Sequence, residues 1–295
     1  MLQFIKGIFN GSATEGSKLV GISGYDDPNR KADVIFVHGL AGHPIDTWHP
    51  EQPSKNRNQE NCWLYWLAED KELLANNLQL GIWSFGYKVE RFHGKAAPRF
   101  DQGEDLRSWL TARSIGNRPI IFIAHSLGGL IVKQMLRKTK DKNEKDLLEQ
   151  IKGIVYLATP HTGSDVSNLV NIINAILQNT LRVTVAVKEL EAHNPGLRDL
   201  DDWHRNSIEA LHIKINAFYE LHDTWGLKIV NEDSANPKVK DCHPIPVHAD
   251  HNTIARPIDE DAKVYLLVKE FIKSCLIVYP QPEARKELER LSNPQ

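Results

Sequence analysis

The residues best suited to chemistry lie in one run, His125-Ser126-Leu127-Gly128-Gly129, with Ile120 to Ala124 before it and Leu130, Ile131, Met135 and Leu136 after it. The five apolar residues read as a strand buried on both faces, as in a parallel sheet. The later apolar residues recur at helical spacing. A serine at the apex of strand, tight turn and helix is a nucleophile elbow, in which the turn strains the serine backbone and lifts its hydroxyl clear of the sheet. Small residues must flank such a turn, and Ala124, Gly128 and Gly129 supply them, with alanine where glycine is usual. The bland alternative is a buried strand followed by a glycine-initiated helix.

A serine hydroxyl is a weak nucleophile at neutral pH. It needs a base within hydrogen-bond reach, and the base needs an acid to fix its tautomer. On a strand–elbow–helix frame the chain order is serine, acid, histidine. The base is therefore sought after the last strand, where Pro246 to Asn252 offers His248 and His251, and His251 lies beyond the strand end. The acid is less determined by sequence. Glu220 follows Phe218 and Tyr219 at a strand tip, Asp223 is three residues on, and Asp233 follows Leu227 to Val230 beside Ser234 and Ala235, where it could equally favour a helix N-terminus. The spacing ranks Glu220 first, Asp233 second and Asp223 third. The anion formed on attack needs fixed donors. The Leu127 amide, next after the nucleophile, and the Leu40 amide, in the His38-Gly39-Leu40-Ala41-Gly42 loop, are the candidates. His248, Asp250 and His251 also suggest part of a metal-binding signature, but Pro246 stands at the first ligand position, so no metal and no cofactor is expected.

These residues need a frame to hold them. Strand-like runs at 18–22, 32–37, 78–85, 120–124, 151–157, 213–219, 227–230 and 245–247 alternate with helical patterns at 61–74, 106–113, 127–136 and 262–277. That alternation predicts an α/β fold with a mainly parallel central sheet flanked by helices. The stretch from 165 to 210 is longer than a crossover requires and reads as a helical lid insertion. One domain over 1–280 is expected, with a charged tail at 281–295. The loop from Gly86 to Gln102 is long enough to reach an active-site rim.

Lysine plus arginine (36) nearly balances aspartate plus glutamate (38), which gives no reason to expect nucleic acid as a partner. Three widely spaced cysteines, Cys62, Cys242 and Cys275, fit a reducing compartment better than a disulfide framework. No run approaches the roughly 18 apolar residues of a membrane span. The expectation is a cytoplasmic protein, which could touch a membrane surface through the short apolar N-terminus (Met1 to Phe9) or the lid.

Taken together, Val34 to Leu40, Phe122 to Leu130, Leu157 to Ser164, Phe218 to Glu220, Val230 to Ala235 and Ala249 to Asn252 occur in an order that resembles the α/β-hydrolases of the serine-active-site-containing and "putative serine esterase" (lipase-like) group. The resemblance covers residues 32 to 275. It implies the α/β-hydrolase fold and hydrolysis of carboxylic esters, often of lipids. In that group the glutamate after the aromatic pair recurs, which favours Glu220. An acyltransferase or thioesterase would use the same groups. A catalytically silent interaction protein could keep the fold, although serine, acid and histidine in order argue against it.

Overall fold

The computed structural model describes residues 16–40, 42–51, 58, 60–87, 102–161 and 196–277. Within them lies a seven-stranded sheet: β1 (Lys18–Ser23), β2 (Ala32–Val37), β3 (Leu80–Gly86), β4 (Ile120–His125), β5 (Ile151–Leu157), β6 (Lys214–Glu220) and β7 (Ile245–Val247). The spatial order is β1-β3-β2-β4-β5-β6-β7. Only β1 is antiparallel, paired with β3 at the edge; every other neighbour pair is parallel.

Central strands in such a sheet bury both faces, which is why β2 and β4 carry the apolar runs Val34–Val37 and Ile120–Ala124 and are buried at every position. Their side chains divide with a period of two. Val34, Phe36, Ile121 and Ile123 enter one core, while Ile35, Val37, Phe122 and Ala124 enter the other. The first core is covered by α1 (Trp63–Glu69) and by the closing helix 263–276, through Trp63, Leu64, Tyr265 and Val268. A short helix, α2 (Lys71–Ala75), follows α1. The second core is covered by α3 (Gln102–Ala112) and α4 (Gly128–Asp141), through Leu106, Leu110, Val132 and Met135. The remaining α-helices among the described residues are α5 (Lys145–Gln150), α6 (Gly196–Ser207), α7 (Glu232–Ala235) and α8 (Lys263–Leu276).

The structure departs from the sequence pattern at two places. The helix expected over 61–74 is broken at Asp70, whose carboxylate accepts from the amides of Glu72 and Leu73, both at 3.0 Å, and so caps a new helix. A side chain that satisfies orphan amides in this way ends one helix and begins another. The run 227–230 is not a strand. Thr224 and Leu227 exchange two backbone hydrogen bonds and close a tight turn outside the sheet. Most of the expected lid and rim loop lies outside the described residues. Of the lid, 196–207 is helical as α6.

Sheet order alone locates a cleft. From β2 the chain goes to β3 on one side, and β4 lies on the other. Ligands in open α/β sheets bind outside the carboxyl ends of strands at such a reversal. The loops that leave the carboxyl ends of β2 and β4 are those beginning at His38 and Ser126.

Candidate active site

Ser126 sits between β4 and α4 with φ of 53°, the left-handed region, which a non-glycine residue occupies only under strain. Its amide donates to the Leu157 carbonyl at 2.9 Å, anchoring the turn to the neighbouring strand end. The elbow closes only because residue 128 has no side chain. A Cβ there would lie 2.3 Å from the Val37 carbonyl oxygen and 2.6 Å from that of His38. The Leu127 amide therefore begins the helix directly beside the nucleophile, with Leu127 as N-cap.

His251 lies in the loop after β7. Its Nε2 is 2.9 Å from Ser126 Oγ, across 125 positions of sequence. Both residues are 2 % exposed. Glu220, the last residue of β6, is fully buried, and its Oε1 stands 3.4 Å from His251 Nδ1. This is ion-pair separation without hydrogen-bond alignment: among the described residues, neither His251 Nδ1 nor Glu220 Oε2 has a hydrogen-bond partner. Oε1 also accepts the Val230 amide at 2.5 Å.

The other sequence candidates lie elsewhere. Asp223 is exposed. Asp233 is exposed in the first turn of α7, where the N-cap is Asn231 rather than Asp233: Asn231 Oδ1 accepts from the Ser234 amide at 2.9 Å, and Ser234 Oγ accepts from the Asn231 amide at 3.0 Å. His248 is exposed, and its ring lies beside His222 with centroids 5.8 Å apart. Asp250 turns its Oδ1 back onto the amides of Asn252 and Thr253, both at 2.8 Å. Among the described residues no group of three or more His, Cys, Asp and Glu side chains is arranged to hold a metal ion.

The loop after β2 passes close to the serine. A Cβ on Gly39 would lie 2.8 Å from Ser126 Cβ, so only glycine allows this approach. His38 governs the next peptide. The Tyr87 amide donates to His38 Nε2 at 3.4 Å, which leaves the proton on Nδ1, and Nδ1 donates to the Gly39 carbonyl at 2.7 Å. In a planar trans peptide the carbonyl and the following N–H point oppositely. With the Gly39 carbonyl held against the His38 ring, the Leu40 amide is turned the other way. The Tyr87 hydroxyl donates to the His38 carbonyl at 2.9 Å, and its ring stacks on the imidazole at 4.4 Å. Burial holds His38 neutral, its pKa lowered to about 4 against the raising effect of the Gly39 hydrogen bond. Sequence reasoning named the His-Gly loop but not Tyr87, which lies 49 residues away and is brought in by strand pairing of β2 with β3.

A second buried polar cluster lies near the end of β5. Lys133 of α4 is fully buried and pairs with Asp201 of α6, and its ammonium also meets His161 Nδ1 at 2.6 Å. Tyr156 and His204 Nε2 are hydrogen-bonded at 2.9 Å beside it. Burial pushes the Lys133 pKa down, opposed by Asp201. Burial works against the Asp201 carboxylate as well, but Lys133 and His161 outweigh it and hold the group well below the usual carboxylate range.

The chain is similar to several known proteins. Residues 103–207 match the family described as "Putative serine esterase (DUF676)". The chain is 31 % identical over 267 residues to protein SERAC1 of Homo sapiens, a match that covers 83 % of this chain and 39 % of that protein. SERAC1 of Bos taurus is 30 % identical over the same length, again with 83 % and 39 % covered. The chain thus spans about two fifths of the length of these relatives. Among solved structures, lipase BlEst2 of Bacillus licheniformis in its mature form superposes with a TM-score of 0.51 at 17 % identity, covering 88 % of this chain and 98 % of that one. The mostly parallel seven-stranded sheet flanked by helices is the α/β-hydrolase fold, and the chain is similar to the serine esterase family and to the SERAC1 proteins.

Proposed function

We propose that the chain is a serine hydrolase of carboxylic esters, with Ser126 as nucleophile, His251 as base, Glu220 as acid, and the amides of Leu40 and Leu127 as donors to the oxyanion. The observation that carries this reading is the 2.9 Å approach of His251 Nε2 to Ser126 Oγ at the carboxyl edge of the sheet. Ser126 Oγ attacks the ester carbonyl carbon while His251 Nε2 takes the hydroxyl proton, and the carbonyl oxygen becomes an anion facing the two amides. Collapse of the tetrahedral intermediate expels the alcohol, which leaves with the proton from His251. The acyl group remains on Ser126. Water then attacks the acyl-enzyme with His251 again as base, releasing the acid and regenerating the serine. Glu220 stabilises the imidazolium formed in each half-reaction. Its 3.4 Å contact closes to a hydrogen bond when Nδ1–H faces a carboxylate across a charged ring, as contacts in unliganded sites commonly tighten.

The family match supports hydrolase chemistry and leaves the substrate to experiment. Esters with acyl chains, lipids included, are the substrate class to screen. The direct test is covalent labelling of the purified chain by a fluorophosphonate probe, which reports an activated serine without knowledge of the substrate. Labelling of the wild type and its loss in Ser126→Ala is the expected result. A wild type that resists the probe while folded would overturn the reading.

A further inference from the structure

An imidazole can hold its place against a serine only if the peptide that carries it is also held. The His251 peptide is gripped from two sides. Its N–H donates to Thr224 Oγ1 at 2.8 Å, and its carbonyl accepts from His125 Nε2 at 2.7 Å. Both partners are buried: Thr224 is 5 % exposed and His125 6 %. Neither is a local neighbour, since His125 precedes His251 by 126 positions and Thr224 by 27.

Each grip comes from an element that carries another member of the site. His125 is the last residue of β4, directly before Ser126. Thr224 lies four residues beyond Glu220, in the turn that its amide and carbonyl close with Leu227 at 2.8 and 3.0 Å. That turn passes through Trp225 and Gly226 with φ of 53° and 74°, so its shape is fixed by left-handed residues and not free to slide. Nucleophile strand and acid loop thus each hold one side of the base's backbone.

The chemistry of the His125 ring fits this service. A carbonyl oxygen only accepts, so Nε2 carries the proton. Nδ1 is buried and, among the described residues, has no partner. The ring centroid lies 5.1 Å from that of His251, where a second positive charge would oppose protonation of the base. Burial and the adjacent His251 keep His125 neutral, with its pKa lowered to about 3. Glu220, at 3.4 Å and out of line, constrains the ring direction less tightly than an aligned hydrogen bond would, which leaves more of the orientation to the backbone grips.

We propose that His125 and Thr224 are positioning residues for His251, locking the three loops of the site into one register through the base's N–H and carbonyl. The inference rests on the reading of Ser126 and His251 as nucleophile and base, and adds two residues that act through His251 and touch no substrate.

The test compares variants that keep or remove one polar atom. Thr224→Val preserves shape and removes the acceptor, while Thr224→Ser keeps it. His125→Met removes the donor, while His125→Gln keeps an N–H at about the reach of Nε2. Turnover of p-nitrophenyl acetate, the labelling rate with a fluorophosphonate probe and the urea midpoint are measured for each. Loss of one hydrogen bond that acts on the transition state is expected to lower kcat by about tenfold in Thr224→Val and in His125→Met. KM should stay within about a factor of two, and Ser and Gln should recover most of the loss. Equal losses in Val and Ser, or a fall in kcat that follows the urea midpoint across all four variants, would overturn the proposal. If His125→Met does not fold, the Thr224 pair decides alone. A folded wild type without labelling or turnover would instead overturn the hydrolase reading, and with it the role given to both residues.

Discussion

The Glu220 carboxylate and the Val230 amide are joined at 2.5 Å, a hydrogen bond that spans ten residues and folds the loop after β6 back over its own strand end. The bond fixes the glutamate's rotamer and leaves the carboxylate facing His251. Glu220→Gln keeps an acceptor for Val230 and so should keep the fold. It replaces the charge with an amide and favours the wrong tautomer of His251. Turnover is expected to fall by orders of magnitude, as wrong-tautomer substitutions do. Asp233→Asn, at an exposed helix start already capped by Asn231, should cost at most about 0.3–1 kcal/mol of stability. If steady-state kinetics rank the two variants the other way, the acid is misassigned.

His251 and His248 are three positions apart and separate sharply in environment. His251→Ala should abolish most turnover and probe labelling while circular dichroism stays native. His248→Ala, at an exposed ring that contacts His222, should change both by little. Activity retained in His251→Ala would move the base elsewhere.

Buried histidines give a pH dependence with a definite sign. Burial, as the largest cause, lowers His38 to about 4, His125 to about 3 and His161 to about 4. Each takes up a proton in the unfolded chain near pH 6.5 and in the folded chain only well below that. Between those values the unfolded state binds more protons, so stability falls as pH falls from about 6.5 towards 4. A shift of this size is worth on the order of 3 kcal/mol for one group. Urea midpoints should therefore drop between pH 7 and about pH 5.5, above the pH at which carboxylates such as Glu104 titrate in the unfolded chain. Identical midpoints at the two pH values would contradict the buried neutral state.

Lys133 offers a stability test away from the site. Its ammonium is fully buried against Asp201 and His161, so Lys133→Met takes the main cation from a nearly buried carboxylate. Breaking such a pair from one side typically costs about 3–5 kcal/mol. The double variant Lys133→Met/Asp201→Asn should recover part of the loss in calorimetry, because the stranded charge is gone. A single variant as stable as the wild type would mean that the pair contributes nothing to holding α6 on α4.

The sequence alone determined the parts that short-range physics controls. An apolar run of strand length, a serine and two glycines specify β4, the elbow and the start of α4, because strand burial, turn sterics and helix periodicity are all written within about twenty neighbouring residues. The alternation of strands and helices then restricts the sheet to a mainly parallel form. The tertiary structure decided what depends on the path of the chain between distant segments. Asp70 ends a helix that periodicity alone would continue, because its carboxylate finds amides to cap and the Tyr265 hydroxyl, 195 positions away, to receive. The turn at Thr224 to Leu227 replaces an expected strand, and with it Thr224 reaches His251. Among Glu220, Asp223 and Asp233, spacing allowed three carboxylates, and only the folding of the loop onto Val230 buries one of them beside the imidazole. Lys133 of α4 is fully buried. Its burial follows from α6 packing across it, and α6 is joined to that face by residues remote in sequence.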